Sequence, residues 1–189
     1  MNRHWKSRLL SGVIALFLSL SAGAAAADVV TAWNDHLLAV TTAASANRPN
    51  GEIAVVSAYM HIAMYDAVSS IDGNYTPFVT HVANTDGASR DAAAIEAAYR
   101  ILAYAYPASN ATFAPLAAQF TAFYAAEMGA IPTSQTKTAG IAVGAASATG
   151  LIAARANDGF RDASVTYTFS PLGPGVYQKT PGPDGTIAT

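Results

Sequence analysis

"YMHIAMYDAV", residues Tyr59 to Val68, is the stretch on which the reading of this chain turns. It sets a histidine, an aspartate, two tyrosines and two methionines inside an apolar run. Three readings compete: a catalytic His/Asp pair, a metal site, or a buried helix carrying a few polar atoms. Helix geometry separates them. Successive residues turn by about 100°, so His61 and Asp66, five apart, point about 140° away from each other. One helix cannot pair them. His61 and Tyr65 stand four apart and share a face, as do Met60 and Met64. Ile53, Val56, Met60, Ala63, Ala67 and Ile71 form a continuous apolar stripe, and Val55, Tyr59 and Ile62 extend it around another side. A helix apolar on most sides is a central one. The expectation is a core helix whose His61 and Asp66 each hydrogen-bond to a neighbouring element.

Outward from this helix the chain reads as all-α. Alanine, the best helix former, is abundant, and alternating β-branched runs are scarce. Five helices are predicted. The first covers about Val29 to Ala46, with Asp28 as N-cap. The turn "NRPNG" (Asn47–Gly51) breaks the chain before a second helix from Glu52 to about Ser70, closed by "DGNYTP" (Asp72–Pro77). A polar loop through "NTDGAS" (Asn84–Ser89) leads to a third helix, Arg90 to Tyr106, stopped by Pro107. Asn110 is placed to cap a fourth helix reaching about Met128, its start made irregular by Pro115. A fifth runs from Gln135 to Asn157 and ends at Gly159. Together these make a helical bundle over residues 28–160. Residues 161–189 read as an irregular tail, since "SPLGPGVYQKTPGPDGTIAT" holds four of the nine prolines and four of the fourteen glycines.

The first 27 residues are expected to be a signal peptide. Arg3, Lys6 and Arg8 precede the apolar stretch Leu9–Leu20, and Ala25-Ala26-Ala27 supplies a small-residue cleavage site before Asp28. The stretch is shorter than the ~20 residues a spanning helix needs. No later segment is expected to span, so an exported chain, periplasmic or secreted, without stable membrane insertion is anticipated. Removing the leader leaves seven basic against twelve acidic residues, a formal charge of −5. That is no footprint for nucleic acid. The chain has no cysteine, which excludes disulfides and thiolate zinc sites.

Other motifs carry little chemistry. "WNDH" (Trp33–His36) puts Asp35 and His36 side by side, where their side chains diverge. His36, His61 and His81 show no i, i+4 ligand spacing, so no metal ligand, cofactor ligand or catalytic residue is assigned. There is no G-x-S-x-G, P-loop or S-x-x-K. "GIAVG" (Gly140–Gly144) is a G-x-x-x-G whose plain meaning is close helix packing, with Ala148 and Leu151 continuing that face. Asn74 and Asn110 head short glycosylation-type triplets of low specificity.

Read in order, "WNDHLL", "YMHIAMYDAVSSIDGNYTPF", "AAYRILAYAYPASNATF", "GIAVGAASATGLIAARANDG" and "GPGVYQKTP" resemble the N-terminal part of secreted bacterial proteins of the vanadium-dependent haloperoxidase family. That family shares its fold and site with the type 2 phosphatidic acid phosphatases. The most specific part is His61–Val68 followed by Tyr75-Thr76-Pro77. The resemblance implies a vanadate or phosphate site built from a lysine, two arginines, a Ser-Gly-His segment and a further histidine, all in a C-terminal half. A multiply charged oxyanion needs several fixed cations and donors. This chain has no Ser-Gly-His and no histidine after His81. Its later basic residues, Arg90, Arg100, Lys137, Arg155, Arg161 and Lys179, match no family motif. The expectation is therefore a helical portion inactive alone, with vanadate reserved for a complete family member. Its expected partner is a missing C-terminal half or a second copy. The alternative is a stand-alone exported helical interaction module.

Overall fold

The computed structural model describes residues 28–43, 50–160 and 174–175. The expected leader, the stretch Ala44–Pro49 and almost all of the expected tail lie outside them. Five helices follow in order: α1 (Val29–Ala43), α2 (Asn50–Asp72), α3 (Arg90–Ala105), α4 (Ala114–Ala130) and α5 (Gln135–Ala154). Among the described residues there is no strand, so the chain is an all-α helical bundle.

Local chemistry sets most of the ends. Asp28 caps α1 as expected, its Oδ1 accepting the Thr31 N–H at 2.9 Å. Those bonds also pull the Asp28 carboxyl below its ordinary range. α2 begins at Asn50, inside the predicted turn, and runs to Asp72. It ends where Gly73 takes φ 67° and donates its N–H to Ser69 O at 3.0 Å. Ser89 caps α3 by accepting from Ala92 N. Asn110 does not cap α4. Its side chain accepts from Thr112 N at 2.9 Å and shapes a turn, and the helix starts at Ala114. Pro115 then falls in the first turn, where a missing N–H costs nothing. α5 stops at Ala154, three residues short of the expected Asn157, because a turn closes from Asp158 N to Arg155 O. In the short segment from Arg155 that follows, Phe160 N donates to Asp158 Oδ1, and Gly159 takes φ 80°.

The packing agrees with α2 as a core helix and adds α3 to it, which touches each of the other four helices. Ala92 to Ala98 are all buried, a run possible because alanine lets neighbours approach from every side. The α2 stripe is buried at Val56, Met60, Ala63 and Ala67. Another α2 face stays open, with Tyr65 45% exposed.

The G-x-x-x-G of α5 packs closely on α3. A Cβ at Gly144 would strike the Ala93 carbonyl and come within 2.9 Å of the Glu96 Cβ, and one at Gly140 would strike the Ser89 carbonyl. Val143, Ser147, Ala148 and Leu151 continue this buried face. The same small residues make α5, at 20 residues, long and apolar enough by length and composition to cross a membrane. The expectation that no segment after the leader reaches that threshold is thereby corrected. Ser147 Oγ donates to Ala63 O at 2.8 Å and ties α5 to α2.

Candidate functional site

The polar atoms of "YMHIAMYDAV" face two ways, as the helix angle requires. Asp66 is wholly buried and turns towards the loop after α2. Its Oδ1 accepts from Phe78 N at 2.5 Å, and its Oδ2 accepts from Val79 N at 2.9 Å and Thr80 N at 2.7 Å. Three consecutive backbone donors thus converge on one carboxylate. One turn on, Ser70 Oγ accepts from Val82 N at 3.0 Å, and Thr85 Oγ1 donates to Ser70 O at 2.7 Å. Tyr65 OH donates to Thr76 O at 3.2 Å. The loop has no regular structure to satisfy its own amides, so these side chains do so. Thr80 is pressed against α5, where a Cβ at Gly150 would sit 2.7 Å from the Thr80 methyl.

His61 faces α1. Its Nε2 lies 3.2 Å from Asn34 Oδ1, and the Asn34 amide nitrogen points to Asp35 at 3.5 Å. With Asn34 Oδ1 as the acceptor, Nε2 is the donor of this bond. Burial pushes the His61 imidazole below its ordinary value.

An open cleft of about 420 Å³ runs beside it. Its floor is one face of α2: His61, Met64, Tyr65, Val68, Ser69 and Asp72, at alternating spacings of three and one. Val30 of α1 and Tyr75 of the loop form its sides. At its far end Asp72 pairs with Arg90, whose side chain is 63% exposed.

The other histidines stand apart. His36 is stacked on Phe123 at 4.0 Å and meets Phe120 and Trp33 edge-on. Burial lowers its pKa, opposed by a backbone hydrogen bond with Gln119 and the charge of Glu127. Its Nε2 and the Trp33 Nε1 are buried without a hydrogen-bond partner. His81 is exposed in the loop. The three expected histidines are therefore not brought together. Among the described residues no group of three or more His, Asp or Glu side chains is placed to hold a metal ion.

One polar cluster was not anticipated from the sequence. Glu96 of α3, 4% exposed, accepts from Arg100 Nε and from Tyr124 OH, both at 2.6 Å. Tyr124 stacks on Tyr99 at 4.3 Å. Burial, then the bond to Glu96, raises the Tyr124 phenol above its ordinary value. The Glu96/Arg100 spacing of four was a visible signal, whereas Tyr124, on another helix, left none. Lys137 donates to Met128 O and Ile131 O at 2.7 and 2.9 Å, capping α4 at its negative end.

No protein-family model, no curated protein and no solved structure matches this chain.

Proposed function

We propose that the chain is the exported N-terminal helical portion of a bacterial protein of the vanadium-dependent haloperoxidase and type 2 phosphatidic acid phosphatase kind, with no oxyanion site of its own. One observation carries the reading. The two parts most specific to the resemblance, His61–Val68 and Tyr75–Pro77, are tied to each other by hydrogen bonds. Asp66 and Tyr65 hold Phe78 and Thr76, so the likeness rests on residues that act together rather than on scattered alanines.

The disposition of charge supports the second part. A vanadate or phosphate site needs several convergent cations. Here Arg90 turns to Asp72, Arg100 to Glu96 and Lys137 to the last carbonyls of α4. They lie in three separate places and do not fit a common oxyanion. Vanadate is accordingly a cofactor for a complete family member. The purified chain should show neither halide oxidation nor phosphomonoester hydrolysis. Saturable vanadate binding at micromolar concentration with turnover would contradict this.

A stand-alone exported interaction module is the second reading. It is favoured by the core the helices bury themselves, with Trp33, Leu37, Ile95, Ile101, Leu102 and Leu151 below 2% exposure. The coding DNA after Thr189 separates the two. A continuing or shifted frame encoding a Ser-Gly-His segment supports the first, and a stop followed by unrelated sequence supports the second.

A further inference from the structure

We propose that the open cleft along α2 binds a small organic cation, with its ammonium group at Asp72 and its apolar body along Met64, Tyr65 and Val68. This inference stands apart from the family reading and rests on three observations. The first is shape. At about 420 Å³ the cleft lies within the range of small-molecule sites. The eleven helical steps from His61 to Asp72 give it a length of about 16 Å.

The second is charge. Among the described residues Asp72 is the one carboxylate of the lining, and burial at the other end disfavours the charged form of His61. Asp72 also sits at the C-terminal end of α2, where unpaired carbonyls concentrate negative partial charge. The last turn of α2 carries no basic residue. An acid at that end is unfavourable for the helix, and a cation beside it relieves both. Arg90 reaches Asp72 Oδ1 from α3, but its side chain is 63% exposed, against 21% for Asp72, and a ligand ammonium would compete with a guanidinium so open to water.

The third is the lining. Tyr65 and Tyr75, 45% and 68% exposed, line the same cleft, and aromatic faces attract ammonium groups. Met64 and Val68 supply the apolar wall, and a thioether adapts to varied apolar shapes.

Three probes with the same body and different heads test the site on the purified protein: 4-phenylbutylammonium, 4-phenylbutan-1-ol and 4-phenylbutanoate. Binding is read by calorimetry and localised by the shift of the Met64 methyl resonance. The expected order is ammonium about tenfold tighter than alcohol, with the carboxylate weakest. Asp72→Asn should bring ammonium and alcohol within about twofold of each other. Arg90→Gln, which removes the competing guanidinium, should tighten the ammonium alone. Tyr75→Ala leaves the ion pair untouched and should weaken all three probes. Equal binding of ammonium and alcohol to the unmodified protein overturns the proposal. So does a preference that survives Asp72→Asn, an indifferent Tyr75→Ala, or the absence of saturable binding by any probe up to millimolar concentration.

Discussion

Asp66 and Glu96 are both buried carboxylates in an alanine-rich bundle, and they are satisfied by opposite means. Asp66 takes three backbone donors from one loop. Glu96 takes two side-chain donors, Arg100 from its own helix and Tyr124 from α4. A side chain that loses its partner can swing towards water, and Arg100 is 48% exposed already. A backbone amide in a fixed loop cannot. Asp66 therefore fixes a piece of chain with no regular structure, while Glu96 joins elements that already hold their own shape. The cost of losing each should differ accordingly.

Replacement of Asp66 tests this most severely. Asp66→Ala strands three amides and should cost about 4 kcal/mol in urea unfolding. Asp66→Asn keeps one acceptor and should cost about half as much. Next in size is Gly144→Ala, whose methyl would strike the Ala93 carbonyl and crowd the Glu96 Cβ. Forcing α5 off α3 should cost about 2 kcal/mol. It should also disturb the Glu96 cluster, read as a change in Tyr124 fluorescence, while the Asp66 loop is spared. Tyr124→Phe removes one donor from Glu96 and should cost about 1 kcal/mol, well below Asp66→Asn. A Tyr124→Phe loss equal to that of Asp66→Ala would erase the distinction between the two carboxylates.

The smallest effect is on pH dependence. Burial lowers the pKa of His36 and His61 from the ordinary 6.5, so the unfolded chain takes up protons more readily than the folded one. Stability should be full above pH 6.5 and fall as the pH drops below it, before carboxylates begin to titrate near pH 4. Combining His36→Phe with His61→Asn should flatten that decline in unfolding curves taken at pH 7.5 and 5.5. An unchanged slope would mean that neither ring is the source.

The elements of the fold were legible because their signals are local. Alanine-rich runs, Asp28 before α1, and Pro107 after α3 all act within a turn of where they stand. The ends that shifted depend on more distant matters. α5 continues in helix-forming residues past Ala154, and the turn at Arg155–Asp158 that stops it has no periodic mark. The part α3 plays in the core also escaped a reading by hydrophobic stripe. α2 has larger apolar residues than α3, but the alanines of α3 permit approach from all sides, and only the assembled bundle displays this. At the candidate site, the divergence of His61 and Asp66 was fixed by helix geometry alone. Their partners were not, since Asn34 lies 27 residues away and the Phe78–Thr80 amides 12 to 14 away. A buried aspartate followed by a Gly/Pro loop with unpaired amides is the pattern that could have pointed to the clamp.

"YMHIAMYDAV" is on this account a structural clamp with an open cleft on its other side. Amide hydrogen exchange of Phe78, Val79 and Thr80 tests the clamp most directly. Phe78 and Val79 are 70% and 37% exposed, so an unclamped loop would exchange them at nearly free rates. The account predicts that all three are protected, by at least about a hundredfold, and that Asp66→Ala, which removes both acceptors, releases them together. Free exchange in the unmodified protein, or protection that persists without the Asp66 carboxylate, would contradict it.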